Sequence, residues 1–285
     1  MPWQVIVSAE QAAARLVDPR LRIFDCRHDL SRPRAGRDAY ERGHLPGAIH
    51  VDLHHDLAAP ETPASGRHPL PAPDGFAARL RAWGVSDDSL LLVYDDANGL
   101  WASRLWWMAA RWLGHRHVAV LDGGLQRWQS LGLPVTTEIP APRPTGTFEG
   151  RLDAAAAVDA EATQAAAQSA DWRVLDARAP ERYRGEVEPI DKVAGHIPGA
   201  LNLPSSGLVN ADGTFRPAAE LQGALAAKLG RVPAARTIAY CGSGVTACHV
   251  LLAMERAGLG GGRLYPGSWS EWSRDPARPV AKGAE

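Results

Sequence analysis

The chain repeats its own sequence, and this internal repeat constrains the fold more than any single motif. An apolar segment ending in Asp-x-Arg occurs at 23–27 and again at 174–178. The motif Gly-His-Leu/Ile-Pro-Gly-Ala occurs at 43–48 and again at 195–200. Other matching pairs, in the same order, are 7–10 with 158–161, 91–95 with 237–241, and 121–128 with 264–272. So many matches in one order predict that the two halves of the chain share one fold.

Within each half, short apolar segments alternate with helix-periodic ones. This alternation predicts an α/β fold of two tandem domains, each a mainly parallel sheet flanked by helices. The proline-rich stretch 140–146 is typical of an extended linker. The predicted helices include Gln11–Leu16, Trp101–Trp112 and Ala218–Leu229. The predicted divisions are an N-terminal domain 1–137, a linker 138–149 and a C-terminal domain 150–285.

Composition excludes several classes of function. The net charge is −1, with 45% hydrophobic and 22% charged residues, so no global field recruits nucleic acid or a membrane surface. The apolar runs are short, and the N-terminus does not read as a secretory signal. Three cysteines cannot all pair within one chain, and neither C-x-x-C nor zinc-ligand spacing occurs. We therefore expect free thiols, a cytoplasmic location, and no metal or organic cofactor.

Cys241 occupies the most chemically informative position. It follows the apolar segment 237–240 and precedes a helix-periodic segment. Gly242 and Gly244 allow a tight loop, whose N–H groups and following helix N-terminus can stabilise an anion. Because the thiolate is the nucleophilic form of cysteine, the loop predicts a nucleophilic Cys241, with a buried structural cysteine as the alternative. Cys248, farther along, is interpreted as a core residue, with a resolving thiol as the alternative.

The corresponding position in the first half is Asp95, followed by a longer and bulkier loop. A carboxylate cannot act as the sulfur nucleophile. We therefore expect the N-terminal half to be catalytically inactive.

Taken together, the repeated motifs, the loop Cys-Gly-Ser-Gly-Val-Thr-Ala and the closing Gly-Ser-Trp-Ser-Glu-Trp resemble the tandem-domain rhodanese family of sulfurtransferases. The resemblance covers nearly the whole chain. It implies an active C-terminal domain in which Cys241 takes a sulfane sulfur from a small-molecule donor and passes it to a thiol or cyanide. A thioredoxin-like reductant is a further expected acceptor.

Within the family, this loop is similar to that of 3-mercaptopyruvate sulfurtransferases, whereas thiosulfate-preferring relatives carry basic residues directly after the cysteine. Thiosulfate is a dianion and would gain from such charges, which Gly242 and Ser243 do not provide. Ser243 is read as a catalytic hydroxyl, as a helix cap, or as both at once. The loop residues expected to hold the donor and the persulfide are Gly242, Gly244, Val245, Thr246 and Ala247.

The resemblance also implies two arginines that hold the donor carboxylate. The first matches Arg182, but the second falls on Ile190, with Arg184 and Lys192 as the nearby substitutes. The family's proposed relay matches His68, whereas the position of its aspartate is occupied by His54.

Several alternatives remain at this stage. Asp176 and Arg178 are interpreted as a structural ion pair, and His196 as a hydrogen-bonding turn residue. The tryptophans predict core packing, with Trp269 or Trp272 as candidates to line the mouth of a cleft. The rival functions are a thiosulfate:cyanide sulfurtransferase and a non-catalytic sulfur-carrier or redox-sensing module. A C-x₅-R phosphatase is disfavoured because Ala247 stands where its arginine would be.

Overall fold

The computed structural model of the chain describes residues 3–284. These form two compact units. The first contains residues up to 59, 71–153 and 210–215, and the second contains 60–70, 154–209 and 216 onward. The predicted linker region therefore belongs with the first unit, where the Gly146 amide donates to Arg81 O (2.8 Å). The domain limits drawn from sequence remain a prediction.

The first unit is built on a five-stranded sheet in the order β1-β5-β4-β2-β3, in which every neighbouring pair is parallel. Its strands are β1 (Ile6–Val7), β2 (Leu21–Asp25), β3 (Ala48–His50), β4 (Leu90–Tyr94) and β5 (Val118–Leu121). Its helices are α1 (Ala9–Ala13), α2 (Ala35–Arg42), α3 (Pro73–Ala82), α4 (Ala102–Trp106), which continues as a π-helix at Trp107–Trp112, and α5 (Gly124–Ser130).

The second unit has a four-stranded parallel sheet in the order β7-β6-β8-β9. Its strands are β6 (Arg173–Asp176), β7 (Leu201–Asn202), β8 (Thr237–Tyr240) and β9 (Arg263–Leu264). Its α-helices are α6 (Ala160–Ala167), α7 (Pro180–Tyr183), α8 (Ala218–Leu229), α9 (Thr246–Arg256) and α10 (Ser268–Trp272). Single 3₁₀ turns lie at Ala154–Ala156, Ser205–Leu208 and Ala234–Arg236.

These sheets confirm the predicted architecture, while some element limits differ. The helix expected at Gln11–Leu16 instead begins at Ala9, because Ser8 caps it by accepting from the Gln11 amide, and it ends at Ala13. The segment 101–112 is helical but widens into the π-helix after Trp106. α8 has the predicted limits.

Six of the ten tryptophans are buried in the two units. Trp128 is fully buried in the first, where its indole N–H donates to Pro134 O (2.9 Å). In the second unit Trp272 is likewise fully buried, and its indole N–H donates to Pro279 O (2.9 Å). Trp269 is fully buried too. The expectation that Trp269 or Trp272 lines a cleft mouth is therefore wrong, since neither reaches solvent.

One hydrogen-bonded brace occurs in both units and explains the Asp-x-Arg and Gly-His-x-Pro-Gly-Ala motifs. In the second unit, Arg178 pairs with Asp176 at 2.6 Å and donates to Gly195 O at 2.7 Å. In the first, Arg27 pairs with Asp25 at 2.6 Å and donates to Gly43 O at 2.7 Å. This bears out the structural reading of Asp176 and Arg178 in geometry.

The motif histidines act as turn residues. The His196 ring stacks on Tyr183 with ring centroids 3.7 Å apart, and its Nδ1 lies 2.7 Å from Tyr183 O. His44 stacks on Tyr40 in the same way at 3.8 Å. Each histidine thereby ties the motif to the helix that precedes it.

We predict that Tyr94→Phe destabilises the first unit by about 2 kcal/mol, because the Tyr94 hydroxyl donates to the buried Asp25 carboxylate (2.6 Å) and accepts from the Leu45 amide (3.1 Å). Burial raises the pKa of Tyr94 well above its ordinary value, so the hydroxyl keeps its proton. Tyr40→Phe, which loses one bond to Ala48 O, is the matched control and is expected to cost about 1 kcal/mol. Urea unfolding measures both, and equal costs would contradict the prediction.

Candidate active site

Cys241 lies directly after β8, at the carboxyl end of a central strand of the second sheet. It is 2% exposed. Its amide donates to Ser268 Oγ (3.1 Å), and its carbonyl accepts from the Trp269 amide (2.9 Å). Ser268 holds φ +55, a conformation that non-glycine residues rarely adopt. The start of α10 therefore holds the cysteine in place, at the cost of local backbone strain.

The two loop glycines are required for different reasons. Gly244 has φ +75, and a Cβ there would lie 2.4 Å from Pro266 O. At Gly242 a Cβ would lie 3.0 Å from Nη2 of Arg67 and 3.7 Å from both terminal nitrogens of Arg182. Because position 242 has no side chain, the guanidinium groups of Arg67 and Arg182 have room beside it.

In the first unit, the backbone amides of the corresponding loop converge on the side chain of Asp95. Asp95 follows β4 as Cys241 follows β8. Its buried carboxylate accepts four backbone N–H groups: Ala97 and Gly99 on Oδ1 (2.8 Å each), Trp101 (2.7 Å) and Ala102 (2.8 Å) on Oδ2. Burial raises the pKa of Asp95 even though these donors favour its anion. In the first unit, the loop amides are thus already hydrogen-bonded to the Asp95 carboxylate.

In the second unit the loop is shorter, and α9 begins at Thr246 after an N-cap at Val245. The amides of Thr246 and Ala247 belong to the first helical turn, whose N–H groups have no acceptor within the helix. They lie at the positive end of an 11-residue helix. The loop can therefore stabilise an anion at the end of β8.

Ser243 and His68 lie together. Ser243 Oγ is 2.7 Å from His68 Nδ1, and both side chains are buried. The helix-cap reading of Ser243 is wrong, since α9 is capped at Val245 without a side-chain bond. His68 reaches this position because residues 60–70 belong to the second unit, where the Arg67 amide donates to Ser270 Oγ (3.1 Å). His54 lies in the first unit, with its ring 4.9 Å from that of His28.

A chain of alternating charges leads from the sheet to the loop. We call it the charged network: Asp176, Arg178, Glu188, Arg182, Asp191 and Arg67. Arg178 is 3.3 Å from Glu188, Glu188 is 2.6 Å from Arg182, and Arg182 is 3.7 Å from Asp191, which pairs with Arg67. All six side chains are at least four-fifths buried.

Glu188 is the central carboxylate of the charged network. Burial by itself would raise the pKa of Glu188, but the Arg182 guanidinium and the amides of Asp191 and Ile190 lower it. Ile190, where the resemblance implies a second arginine, thus contributes its backbone N–H, and its side chain is 47% exposed.

Of the two expected substitutes, the structure brings neither to the loop by a described contact. Arg184 pairs with Glu186 at 2.7 Å on the surface, and Lys192 is exposed. Their roles in binding the donor remain predictions. Sequence reasoning missed Arg67, Glu188 and Asp191. Of these three residues, only Arg67 had a signal in the sequence, because it lies next to His68.

Further features of the described residues concern metal binding, membrane spanning and the cysteines. Within residues 3–284, no cluster of His, Cys, Asp or Glu side chains has the arrangement of a metal site. Nor does any helix in that range combine the length and apolar character needed to cross a bilayer. All three cysteines are buried and none of them forms a disulfide, and Cys248 Sγ lies 3.3 Å from Gly244 O.

The fold and the site define a tandem α/β protein in which Cys241 follows β8 of the second sheet, while Asp95, which accepts four loop amides, follows β4 of the first. The sequence profile of the Rhodanese-like domain matches residues 8–131 and 159–275. The chain belongs to this family, which confirms the resemblance found in the sequence.

Similar proteins extend over nearly the full length of the chain. A Pseudomonas aeruginosa protein named "Probable 3-mercaptopyruvate sulfurtransferase" is 48% identical, covering 98% of both chains. A Mycobacterium tuberculosis protein named "Putative thiosulfate sulfurtransferase SseB" is 40% identical, again covering 98% of both. The crystal structure of the 3-mercaptopyruvate sulfurtransferase SseA from Escherichia coli superposes with a TM-score of 0.79 at 35% identity, covering 95% of this chain and all of SseA.

We predict that Gly244→Ala is more damaging than Gly258→Ala. Both glycines have a positive φ (+75 and +73), so both substitutions carry the same left-handed strain of roughly 1–2 kcal/mol. Only at 244 does the new Cβ meet a backbone atom, while at 258 nothing lies within 4 Å. Gly244→Ala should cost about 1–3 kcal/mol more in unfolding free energy and slow alkylation of Cys241. Equal effects would show that Pro266 does not constrain the loop.

Proposed function

We propose that this protein is a sulfurtransferase that uses Cys241 to take sulfur from 3-mercaptopyruvate. The observation that carries the proposal is the placement of two arginines, Arg67 and Arg182, beside Gly242 in the loop that holds Cys241. A keto acid with a carboxylate at one end and sulfur at the other fits such a site. The names of the similar proteins from P. aeruginosa and E. coli support the same donor.

The proposed first step forms a persulfide. The Cys241 thiolate attacks the donor sulfur, an S–S bond forms, and the C–S bond of the donor breaks. The electron pair of that bond remains on the organic fragment as the enolate of pyruvate, which takes up a proton to give pyruvate. The transferred sulfur becomes the outer sulfur of Cys241–S–SH. The loop amides and the N-terminus of α9 stabilise the anionic sulfur before and after transfer.

Ser243 and His68 are proposed to supply the proton. Their 2.7 Å contact gives the serine hydroxyl a partner that can exchange a proton with it. Ser243 is two residues from Cys241 in the same loop. The pair therefore assists the departure of the pyruvate enolate, and Cys241 carries out the attack.

The second step returns Cys241 to its thiolate. An acceptor thiolate or cyanide attacks the outer sulfur, the S–S bond breaks, and its electrons return to Cys241. A thioredoxin-like dithiol would release hydrogen sulfide and leave as a disulfide. We propose a cytoplasmic location, which is supported by the observation that none of the three cysteines forms a disulfide.

The first unit is proposed to be inactive. Asp95 occupies the position of the proposed nucleophile and accepts hydrogen bonds from four of the loop amides. These amides are therefore not available to bind an anionic substrate. This difference supports the assignment of the N-terminal domain as inactive and of the C-terminal domain as catalytic.

Thiosulfate is the second candidate donor. It is favoured by the 40% identity to the M. tuberculosis protein with thiosulfate sulfurtransferase in its name. The same arginines would then hold the sulfonate oxygens, and sulfite would leave in place of pyruvate.

The test of the proposal is steady-state transfer to a thiol with both donors. We expect a higher kcat/KM for 3-mercaptopyruvate, and a loss of more than about 10³-fold in Cys241→Ser, because serine cannot form the persulfide. Cys248→Ala, which removes another buried thiol of the same unit, should retain the activity. A preference for thiosulfate would select the second donor, and an active Cys241→Ser would refute the mechanism.

Arg182→Met should raise the KM for 3-mercaptopyruvate by about 10- to 100-fold, the equivalent of one charge-assisted hydrogen bond. Arg67→Met should do the same. Arg216→Met is the matched control, since Arg216 belongs to the same unit but pairs with Glu220 on the surface (3.1 Å). An unchanged KM in both arginine variants would mean that the carboxylate binds elsewhere.

A further inference from the structure

Asp191 is a carboxylate placed where the proposed donor needs positive charge. Its Oδ1 accepts from Nη1 of Arg67, and its Oδ2 lies 3.7 Å from Nη2 of Arg182. The side chain is 8% exposed. Within the described residues Oδ2 is buried and accepts no hydrogen bond.

Such a carboxylate is costly for folding. Burial raises the pKa of Asp191 although Arg67 and Arg182 lower it, so the environment only partly compensates the anion. A buried oxygen without a hydrogen bond costs free energy that an apolar residue at the same place would not. A group retained at this cost next to a reactive loop is a candidate for a role in the site.

The role that we consider for Asp191 concerns the charge balance of the network. Arg67, Arg178 and Arg182 are balanced by Asp176, Glu188 and Asp191, so the six side chains carry no net charge. Asp176 and Glu188 neutralise the inner part of the network. Asp191 is the carboxylate that pairs with Arg67, the guanidinium closest to position 242.

We propose that Asp191 determines donor selectivity by neutralising Arg67, so that the site favours monoanionic 2-oxo carboxylates over dianions such as thiosulfate. This inference rests on the proposed function. A monoanionic carboxylate is held by the geometry of paired N–H donors. A dianion depends more strongly on net positive charge, since its Coulomb attraction doubles with its own charge.

Asp191→Asn tests this with little change of shape. The amide oxygen can still accept from Arg67, while the network gains one positive charge. We expect kcat/KM for thiosulfate to rise about tenfold relative to that for 3-mercaptopyruvate, with a steeper decrease as ionic strength rises. Asp171→Asn is the matched control, because Asp171 is an exposed carboxylate of the same unit that pairs with Arg236. Arg236 directly precedes β8 and therefore lies at the end of the strand opposite to Cys241. It should leave the ratio unchanged.

A binding measurement separates selectivity from turnover. In a Cys241→Ser background, calorimetry with sulfate and with pyruvate should show that Asp191→Asn strengthens sulfate binding about tenfold more than pyruvate binding. Near-ultraviolet circular dichroism verifies the fold of each variant. An unchanged ratio for both pairs of anions, weaker binding of both, or an equal shift in Asp171→Asn would overturn the role of Asp191. If the proposed function itself is wrong, the wild-type protein will transfer no sulfur from 3-mercaptopyruvate. This result distinguishes a failure of the proposed function from a failure of the role of Asp191.

Discussion

The buried ion pair between Asp176 and Arg178 is the interaction on which the second unit depends. A guanidinium in the interior is tolerated only when its donors find acceptors. Here Arg178 binds Asp176 through two nitrogens, donates to Gly195 O and Glu188, and lies over the face of Trp269 with Cζ 4.7 Å from the ring centroid. Each contact places another part of the site. Gly195 begins the turn in which the Ile197 amide donates to the Tyr240 hydroxyl, next to Cys241, and Glu188 orients Arg182.

The first unit contains the same brace but has Asp95 at the position of Cys241. Asp25, Arg27 and Gly43 repeat the contacts of Asp176, Arg178 and Gly195. The brace is therefore part of the architecture. The two units differ at the residue after the central strand, where an aspartate takes up the loop amides in one and a cysteine stands in the other. One scaffold thus holds a buried carboxyl group in the first unit and the proposed nucleophile in the second.

The parts of the site that could be predicted from the residue pattern alone are those whose partners are close in sequence, whereas His68 was expected only from the family resemblance. Cys241, its glycines and α9 form one continuous segment, so the loop and its preference for anions follow from local backbone geometry. Arg182 was found through a motif. Asp191 and Glu188 were missed, because their function depends on which guanidinium each carboxylate faces. Arg67 was missed because it lies in a segment whose neighbours in the chain belong to the first unit.

The sequence by itself determined the tandem α/β architecture and the parallel strands, and it predicts Cys241 as the nucleophile. Repeats, hydrophobic periodicity and a glycine-rich loop after a strand are local patterns, and local conformational preferences are sufficient to read them. Only the tertiary structure decided that residues 60–70 bring His68 and Arg67 to the loop of Cys241, and that the charged network is neutral. Charge balance at a site depends on distances between segments far apart in sequence, and folding alone sets those distances.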